Sequence, residues 1–442
     1  MAFYDRKKEK EEIGKLLDSP KFELLILYGR RRVGKTELVL HTTKDRKRLY
    51  YLATTEKNLE RFYSTCIEFD PAMAKLRPDF EVLLDYLKDK AEVVIIDEFQ
   101  NMIKENKNIV STLQAVVDTK LKHSKLKLIL LGSSVSLMNS RVLSYQSPLY
   151  GRRTASIKLK AVSFFDLGEF FPKATKTELI EIFSFADGIP YYLVKIDQSF
   201  WKWLENEAKS EGTFLRDEVD FLMKYEFDNP STYKLILEAI ANGKTAVNEI
   251  KDFIKVQRTD LSPYLKNLLE VDLIKREIPI TENQKSRLGR YYLKDNFLKF
   301  WFKFIYPNLS SIESGIFDTN QVKKEYSAYL GFIFEEVAKQ YLIRNNGTFK
   351  FTKIGKWWDK GEEIDIVAIN EPEMKFLFAE CKWKDNVDAM EVCKRLREKT
   401  AEFHWTKQKR TDSYAVFAKS FSKKITGFEG IEVKCFDLGD LE

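Results

Sequence analysis

The sequence predicts an α/β protein, with a parallel sheet in the N-terminal part and a separate α+β unit at the C-terminal end. Three observations carry this expectation. Residues 1–170 alternate apolar strands with amphipathic helices, the strands falling at 23–28, 48–53, 92–97, 127–132 and 155–160. Gly29 to Thr36 matches the pattern G-x-x-x-x-G-K-[ST], placed between the apolar run Leu24–Tyr28 and a helix-like Thr36–His41. Near the other end, two apolar strands, Glu363–Ala368 and Phe376–Lys382, each carry an acid among apolar neighbours.

The first motif has a direct physical reading. Gly29 and Gly34 let the backbone of Arg30, Arg31, Arg32 and Val33 curl so that its N–H groups face phosphate oxygens. Lys35 is placed for the β- and γ-phosphates of ATP and the Thr36 hydroxyl for Mg²⁺. Val93–Ile96 then runs into Asp97-Glu98, which puts two acids at the carboxyl edge of a parallel sheet, where such folds bind ligands. Asp97 is expected to hold Mg²⁺ through water and Glu98 to polarise the attacking water. The strand at 127–131 ends in Gly132-Ser133-Ser134, and Ser134 is a candidate sensor of the γ-phosphate; an ordinary turn explains it equally well.

At 442 residues the chain is too long for one ordinary core. With 44% hydrophobic and 32% charged residues it has the composition of a globular protein. No run approaches the roughly 18 apolar residues of a membrane span, and Met1–Arg6 has no signal-peptide core, so a cytoplasmic protein is expected. The four cysteines have no Cys-x-x-Cys spacing and suit reduced thiols. Only His41, His123 and His404 occur, which points any chemistry toward carboxylates, lysines and metals. A net charge of +7 permits nucleic-acid binding without requiring it. A basic cluster runs from Lys394, Arg395, Arg397 and Lys399 to Lys407, Lys409 and Arg410, and suits a solvated helix face as well as a phosphate contact.

Residues 175–225 read as helices, with a turn at Gly188-Ile189-Pro190-Tyr191-Tyr192. Residues 231–295 read as a winged helix-turn-helix: helices from Tyr233 to Ala241, from a Thr245 cap to about Ile254, and from Ser262-Pro263 onward, then strands at Leu273–Glu277 and Arg290–Leu293. Arg258, Lys266, Arg276, Lys285, Arg287 and Arg290 are its candidate DNA-phosphate contacts, and protein packing is the alternative use of the same module. Phe297 to Tyr306 has the aromatic spacing of a buried helix, and residues 307–325 read as a polar linker.

In the C-terminal unit, Asp365 lies on one strand, and Glu380 and Lys382 share a face of the next. A hairpin would bring Asp365 and Glu380 together as a hard-oxygen site suited to Mg²⁺ or Mn²⁺. Lys382 could orient or deprotonate a water there, and Glu335, on a helix expected over Phe332–Leu342, could add an outer ligand. An exposed hairpin with ordinary surface charges is the plain alternative.

Asp365 followed by Glu380-x-Lys382 resembles the PD-(D/E)xK nuclease core, a restriction-endonuclease-like fold. The chain as a whole resembles archaeal and bacterial proteins that join an AAA-type P-loop ATPase to a DUF234-type domain. Phe3 to Glu9 is similar to that family's opening box, which implies that Arg6 lies near the adenine pocket. Gly151-Arg152-Arg153 resembles the segment that supplies an arginine to a γ-phosphate, and Gly188 to Tyr192, with Pro190, resembles a turn beside the base. Together these features imply a P-loop ATPase core over 1–172, a helical lid over 173–228, a winged helix over 229–305, a linker over 306–328 and a nuclease-like domain over 329–442.

The function expected is an ATP-binding and hydrolysing, DNA-binding protein with a metal-dependent nuclease domain, in repair, recombination or defence. Duplex or branched DNA is its expected partner, no membrane is expected, and a homo-oligomer is compatible with the chain. The alternatives are a nucleotide-dependent DNA-binding switch or scaffold with a non-catalytic C-terminal domain, and an ATPase that remodels a protein partner.

Overall fold

The structure, a computed structural model, describes residues 6–210, 212–255, 260–405 and 409–441. Phe3, Tyr4, Asp5, Arg258 and Lys407 lie outside the described residues. The chain divides into two compact units, one made of residues 1–162 with 189–191 and 270–272, the other of the remainder.

The first unit is built on a five-stranded sheet. Its strands are β1 (Glu23–Tyr28), β2 (Arg48–Leu52), β3 (Val93–Asp97), β4 (Lys127–Gly132) and β5 (Ala155–Lys158), in the order β2-β3-β4-β1-β5. All four pairings are parallel. The strands are apolar at successive positions because both faces are covered. Leu24, Ile26, Val94, Ile96, Leu128 and Leu130 pack into one core, and Leu25, Leu27, Val93, Ile95, Ile129 and Leu131 into another. Helix α1 (Lys7–Leu17) buries Ile13 and Leu17, and α2 (Lys35–Thr42) buries Leu38 and Val39, all against the second core. The carboxyl ends of β1, β3 and β4 therefore stand side by side, and they carry the motifs.

The second unit opens with helices. Lys176–Ala186 starts with a Thr175/Glu178 capping box. Phe200–Lys209 and Phe214–Glu226 follow. They enclose an aromatic core with Phe297, Phe300 and Trp301, whose indole N–H donates to Leu215 O at 2.6 Å. The buried helix expected at Phe297–Tyr306 is present as Asn296–Phe300, continued by a wider turn over Trp301–Ile305.

Three helices, Ser231–Ala241, Val247–Phe253 and Ser262–Glu270, precede an antiparallel pair, β6 (Ile274–Glu277) with β7 (Arg290–Leu293). The cap of the middle helix is Ala246 and not Thr245; Glu249 accepts both of their N–H groups. The stretch read as a polar linker is largely helical, holding Leu309–Glu313 and the first turns of Thr319–Arg344. Asp318 caps that long helix, and Val322, Tyr326 and Tyr329 recur at helical spacing into the aromatic core, which outweighs the local polarity.

The C-terminal end of this unit is a six-stranded mixed sheet. At one edge β8 (Lys353–Asp359) pairs antiparallel with β9 (Glu362–Asn370), and β9 pairs antiparallel with β10 (Lys375–Lys382). Thr411–Ala418 then joins β10 in parallel, and Ile431–Phe436 joins that strand in parallel. Helix Ala389–Glu402 packs Cys393 and Leu396 into the sheet's core with Phe376 and Phe378. Among the described residues no helix is long and apolar enough to cross a membrane.

Candidate functional site

The loop after β1 is shaped by two glycines. Gly29 has φ 154°, and a Cβ there would lie 2.3 Å from Leu159 O. Gly34, at φ 89°, caps α2. The chain takes a positive φ at Arg32 as well, and the Arg32 guanidinium lies 4.1 Å from the Tyr191 ring centre. Arg30 and Arg31 are half-buried, and Val33 is buried, its carbonyl accepting Arg6 Nη2 at 3.1 Å. Arg6 also reaches Lys160 O at 2.6 Å, so it braces the loop from beneath. Pro190 Cγ would lie 3.9 Å from a Cβ on Gly34, which sets the expected turn against the loop.

Lys35 Nζ is turned onto the loop's own carbonyls, Gly29 O at 2.9 Å and Arg30 O at 2.8 Å. Burial lowers its pKa to about 8, against the pull of Glu98 and Asp97. A buried ammonium whose partners are neutral carbonyls is suited to an anionic ligand. Thr36 Oγ1 donates to Asp97 Oδ2 at 2.6 Å, as does the Tyr50 hydroxyl at 3.0 Å. Glu98 N–H donates to Asp97 Oδ1 at 2.7 Å.

Glu98 itself sits at φ 51°, a conformation that non-glycine residues hold only when the surroundings impose it. Its carboxylate is held by Ser133 Oγ and Gln100 Nε2, and these two bond each other at 3.1 Å. The hydroxyl that reaches Glu98 is thus that of Ser133; Ser134 stands just before a short helix over Val135–Leu137. Arg152 forms a two-pronged pair with Asp118 at 2.9 and 3.1 Å, and Arg153 donates to Leu143 O at 2.9 Å while stacking on Tyr150.

The second constellation lies on β9, β10 and helix Thr319–Arg344. The register pairs Ile366 with Ala379, so one further step sets Asp365 across from Glu380. Asp365 Oδ2 accepts Cys381 N–H at 2.8 Å. Lys382 donates to Glu380 Oε2 at 2.8 Å, and Lys399, from helix Ala389–Glu402, binds the other oxygen. Glu335 is bound by Lys356, which also lies 3.7 Å from Glu363. Burial, then Glu335 and Glu380, push the Asp365 carboxyl up to about 8. Burial raises Glu335 too, whereas Lys382 and Lys399 outweigh burial at Glu380 and hold it below the ordinary value. The chemistry of this donor set suits a hard cation. As the side chains stand, no three acids, histidines or cysteines among the described residues are gathered so as to hold a metal.

The candidate DNA contacts separate into two groups. Lys266, Lys285 and Arg287 are exposed. Arg276 is folded into its own hairpin on the carbonyls of Gln284 and Ser286. Arg290 pairs with Glu363 at 2.9 Å and lies 4.6 Å from the Trp358 ring centre. Arg276 and Arg290 are thus engaged within the unit, on backbone carbonyls and on Glu363.

Sequence reasoning missed Tyr50, Gln100, Lys356 and Glu363. Tyr50 and Gln100 lie in no motif pattern; Tyr50 reaches Asp97 through strand order, and Gln100 reaches Glu98 from the start of the helix after β3. Lys399 stood in the basic cluster, where nothing marked it as the one that turns inward.

Residues 3–196 match the model of an ATPase domain predominantly from Archaea, and residues 301–402 match that of DUF234, archaeal and bacterial proteins of unknown function. A Methanocaldococcus jannaschii protein, "Uncharacterized protein MJECL04", is 50% identical over 442 residues, covering 99% of each chain. Among solved structures, the Walker-type ATPase PABY2304 of Pyrococcus abyssi is similar, with TM-score 0.53 and 22% identity over 68% of this chain and 96% of that one. The Aeropyrum pernix ORC2 protein matches with TM-score 0.48 and 16% identity, over 72% of this chain and 94% of that one. At 50% identity over 99% of its length, the chain belongs to the family of the Methanocaldococcus jannaschii protein, and in this chain an archaeal P-loop ATPase domain precedes a DUF234 domain.

Proposed function

We propose that this ATPase binds Mg²⁺-ATP at the loop after β1, binds DNA, and hydrolyses phosphodiester bonds at the centre formed by Asp365, Glu380 and Lys382. In the first site Lys35 would exchange its carbonyl partners for phosphate oxygens, Thr36 and Asp97 would hold Mg²⁺, and Glu98 would orient the attacking water. Arg152 or Arg153 would supply charge to the γ-phosphate. Nucleotide state would bias a two-state arrangement of the protein. The three helices with β6 and β7 are read as a winged helix, with Lys266, Lys285 and Arg287 as its outward cations.

The observation that carries the nuclease reading is the convergence of Asp365, Glu380 and Lys382 across one antiparallel pair, with Glu335 behind them. Asp365 and Glu380, with Glu335 further out, would hold Mg²⁺ or Mn²⁺, and the ion when bound would lower the pKa of a water and neutralise charge on the phosphate. Cys381 N–H fixes the Asp365 carboxylate, and Lys382 is within reach of the same spot to orient that water. The lysines already bound to Glu335 and Glu380 favour a second reading, a nucleotide-dependent DNA-binding switch without cleavage.

Cleavage of a labelled panel (duplex, single strand, flap, four-way junction) in Mn²⁺, with and without ATP, tests the two. Cutting by the wild type and not by Glu380→Ala supports the nuclease. No cutting of any substrate leaves the switch.

A further inference from the structure

A cavity of about 630 Å³ opens within the second unit, and Asp365 and Glu335 lie on its wall. Helix Thr319–Arg344 forms one side. Its residues Glu325, Ala328, Phe332, Glu335 and Lys339 recur at helical spacing and line the cavity as one stripe. The other side comes from β6 and β7, through Lys275, Arg290 and Tyr292, and Lys299 and Lys303 add further cations.

Three features of this cavity point to one class of ligand. Its volume is that of a pocket for a molecule the size of a nucleotide or two, and is too small for both strands of a duplex. Its cations and acids interleave: Lys275 lies 2.7 Å from Glu277, Arg290 2.9 Å from Glu363 and Lys303 3.2 Å from Glu325. Burial, and then Lys275, hold the Lys299 ammonium below its ordinary value against the pull of Glu336, Asp187 and Asp295, and Lys324 and Lys339 line the same wall. Finally, Phe332 is 68% exposed although it lies in mid-helix between the buried Tyr329 and Ile333. An aromatic face beside lysines is the arrangement that stacks bases while holding their phosphates.

The hairpin that lines this side of the cavity is fixed in place. Ile280 N–H donates to Lys356 O at 2.8 Å, and the Trp358 indole donates to Leu288 O at 3.1 Å. With Arg290 on Glu363, these bonds seat the hairpin on β8 and β9.

We infer that this cavity receives a single-stranded stretch of nucleic acid, a base stacked on Phe332 and its phosphates on the lysines around it, so that one strand and not a continuous duplex reaches Asp365. This deepens the nuclease reading and rests on it for cleavage, but not for binding.

The test is fluorescence anisotropy in EDTA, which removes cleavage, with labelled oligothymidylate, oligouridylate and blunt duplex. The proteins are wild type, Phe332→Ala, Phe332→Trp and Lys339→Ala. The expected result is single-strand binding weakened about tenfold in Phe332→Ala and restored in Phe332→Trp, with duplex binding unchanged. Lys339→Ala should weaken the same complex and flatten its salt dependence. The two oligonucleotides tell whether the strand is DNA or RNA. Equal binding of duplex and single strand, or single-strand affinity unaffected by Phe332→Ala, would overturn the inference. Single-strand binding through Phe332 with no cleavage by wild type in Mn²⁺ would uphold it and remove the nuclease reading alone.

Discussion

Thr36 and Asp97, sixty-one positions apart in the chain, meet at 2.6 Å because β1 and β3 flank β4 in one parallel sheet. The hydroxyl and carboxylate that would share a magnesium ion are thus positioned by strand order before any ligand arrives. Lys35 waits beside them on backbone carbonyls.

From this follows a separation of binding from turnover. Lys35→Ala removes the buried ammonium, and ATP binding should weaken by at least about a hundredfold, the scale of losing a charge-assisted contact in a low-dielectric site. Glu98→Gln keeps the size and the Ser133 contact but not the charge. It should bind ATP as the wild type does and hydrolyse it roughly a hundredfold more slowly. Fluorescent-nucleotide titration with single-turnover hydrolysis reads both, and Glu98→Gln turning over at the wild-type rate would exclude Glu98 from the water-orienting role.

Arg152 presents a choice that stability alone cannot make. Its pair with Asp118 is more than a third exposed on the carboxylate side and about a third on the other, so solvent screens the bond and it contributes little. Arg152→Ala and Asp118→Ala should both leave Tm nearly unchanged. If Arg152 serves a γ-phosphate, only Arg152→Ala should depress ATP turnover, and Asp118→Ala should leave it equal or faster by releasing the guanidinium. Equal loss in both variants would assign the pair a structural role.

The first site was legible because its chemistry is contiguous in sequence: a glycine-rich turn, a lysine and a threonine in eight residues, and an apolar strand ending in acids. The five strands followed from apolar runs that only a doubly covered sheet tolerates. What could not be read was any role decided by a neighbour distant in sequence. Ser133 and Ser134 are indistinguishable in the chain, and the backbone turn after β4 alone decides which hydroxyl meets Glu98. Arg290 and Arg287 look equally free to meet a phosphate until β9 places Glu363 beside one of them. The stretch read as a linker is helical because Tyr326 and Tyr329 find an aromatic core built from Phe300 and Phe304 just before it and from Phe200 and the Ser184 segment more than a hundred positions earlier.

Asp365 should make stability depend on pH. Its folded-state pKa is pushed up to about 8 by burial, Glu335 and Glu380. Between the ordinary carboxylate value and that point the folded state holds more protons than the unfolded one, so stability falls as pH rises through the window. Asp365→Asn keeps an acceptor for Cys381 N–H and removes the ionisation. In EDTA it should raise Tm at pH 8, by about 2–4 °C for each kcal/mol recovered, and have a smaller effect at pH 5. Thermal melts across that range check it, and an equal shift at both pH values would show that Asp365 ionises at its ordinary value.

The two groups of cations on the hairpin should behave differently toward DNA. Lys285 and Arg287 are exposed, and each, changed to Ala, should lower DNA affinity and reduce the slope of log affinity against log salt by about 1. Arg290 is committed to Glu363 and the Trp358 ring. Arg290→Ala should leave the salt slope as it is, cost about 1–3 kcal/mol of stability, and speed amide exchange at Ile280, whose N–H donates to Lys356 O. Salt-dependent anisotropy on a duplex, paired with hydrogen exchange, separates the two effects. A reduced salt slope in Arg290→Ala would mean that the hairpin leaves β8 and β9 when DNA binds, carrying its arginine to the phosphates.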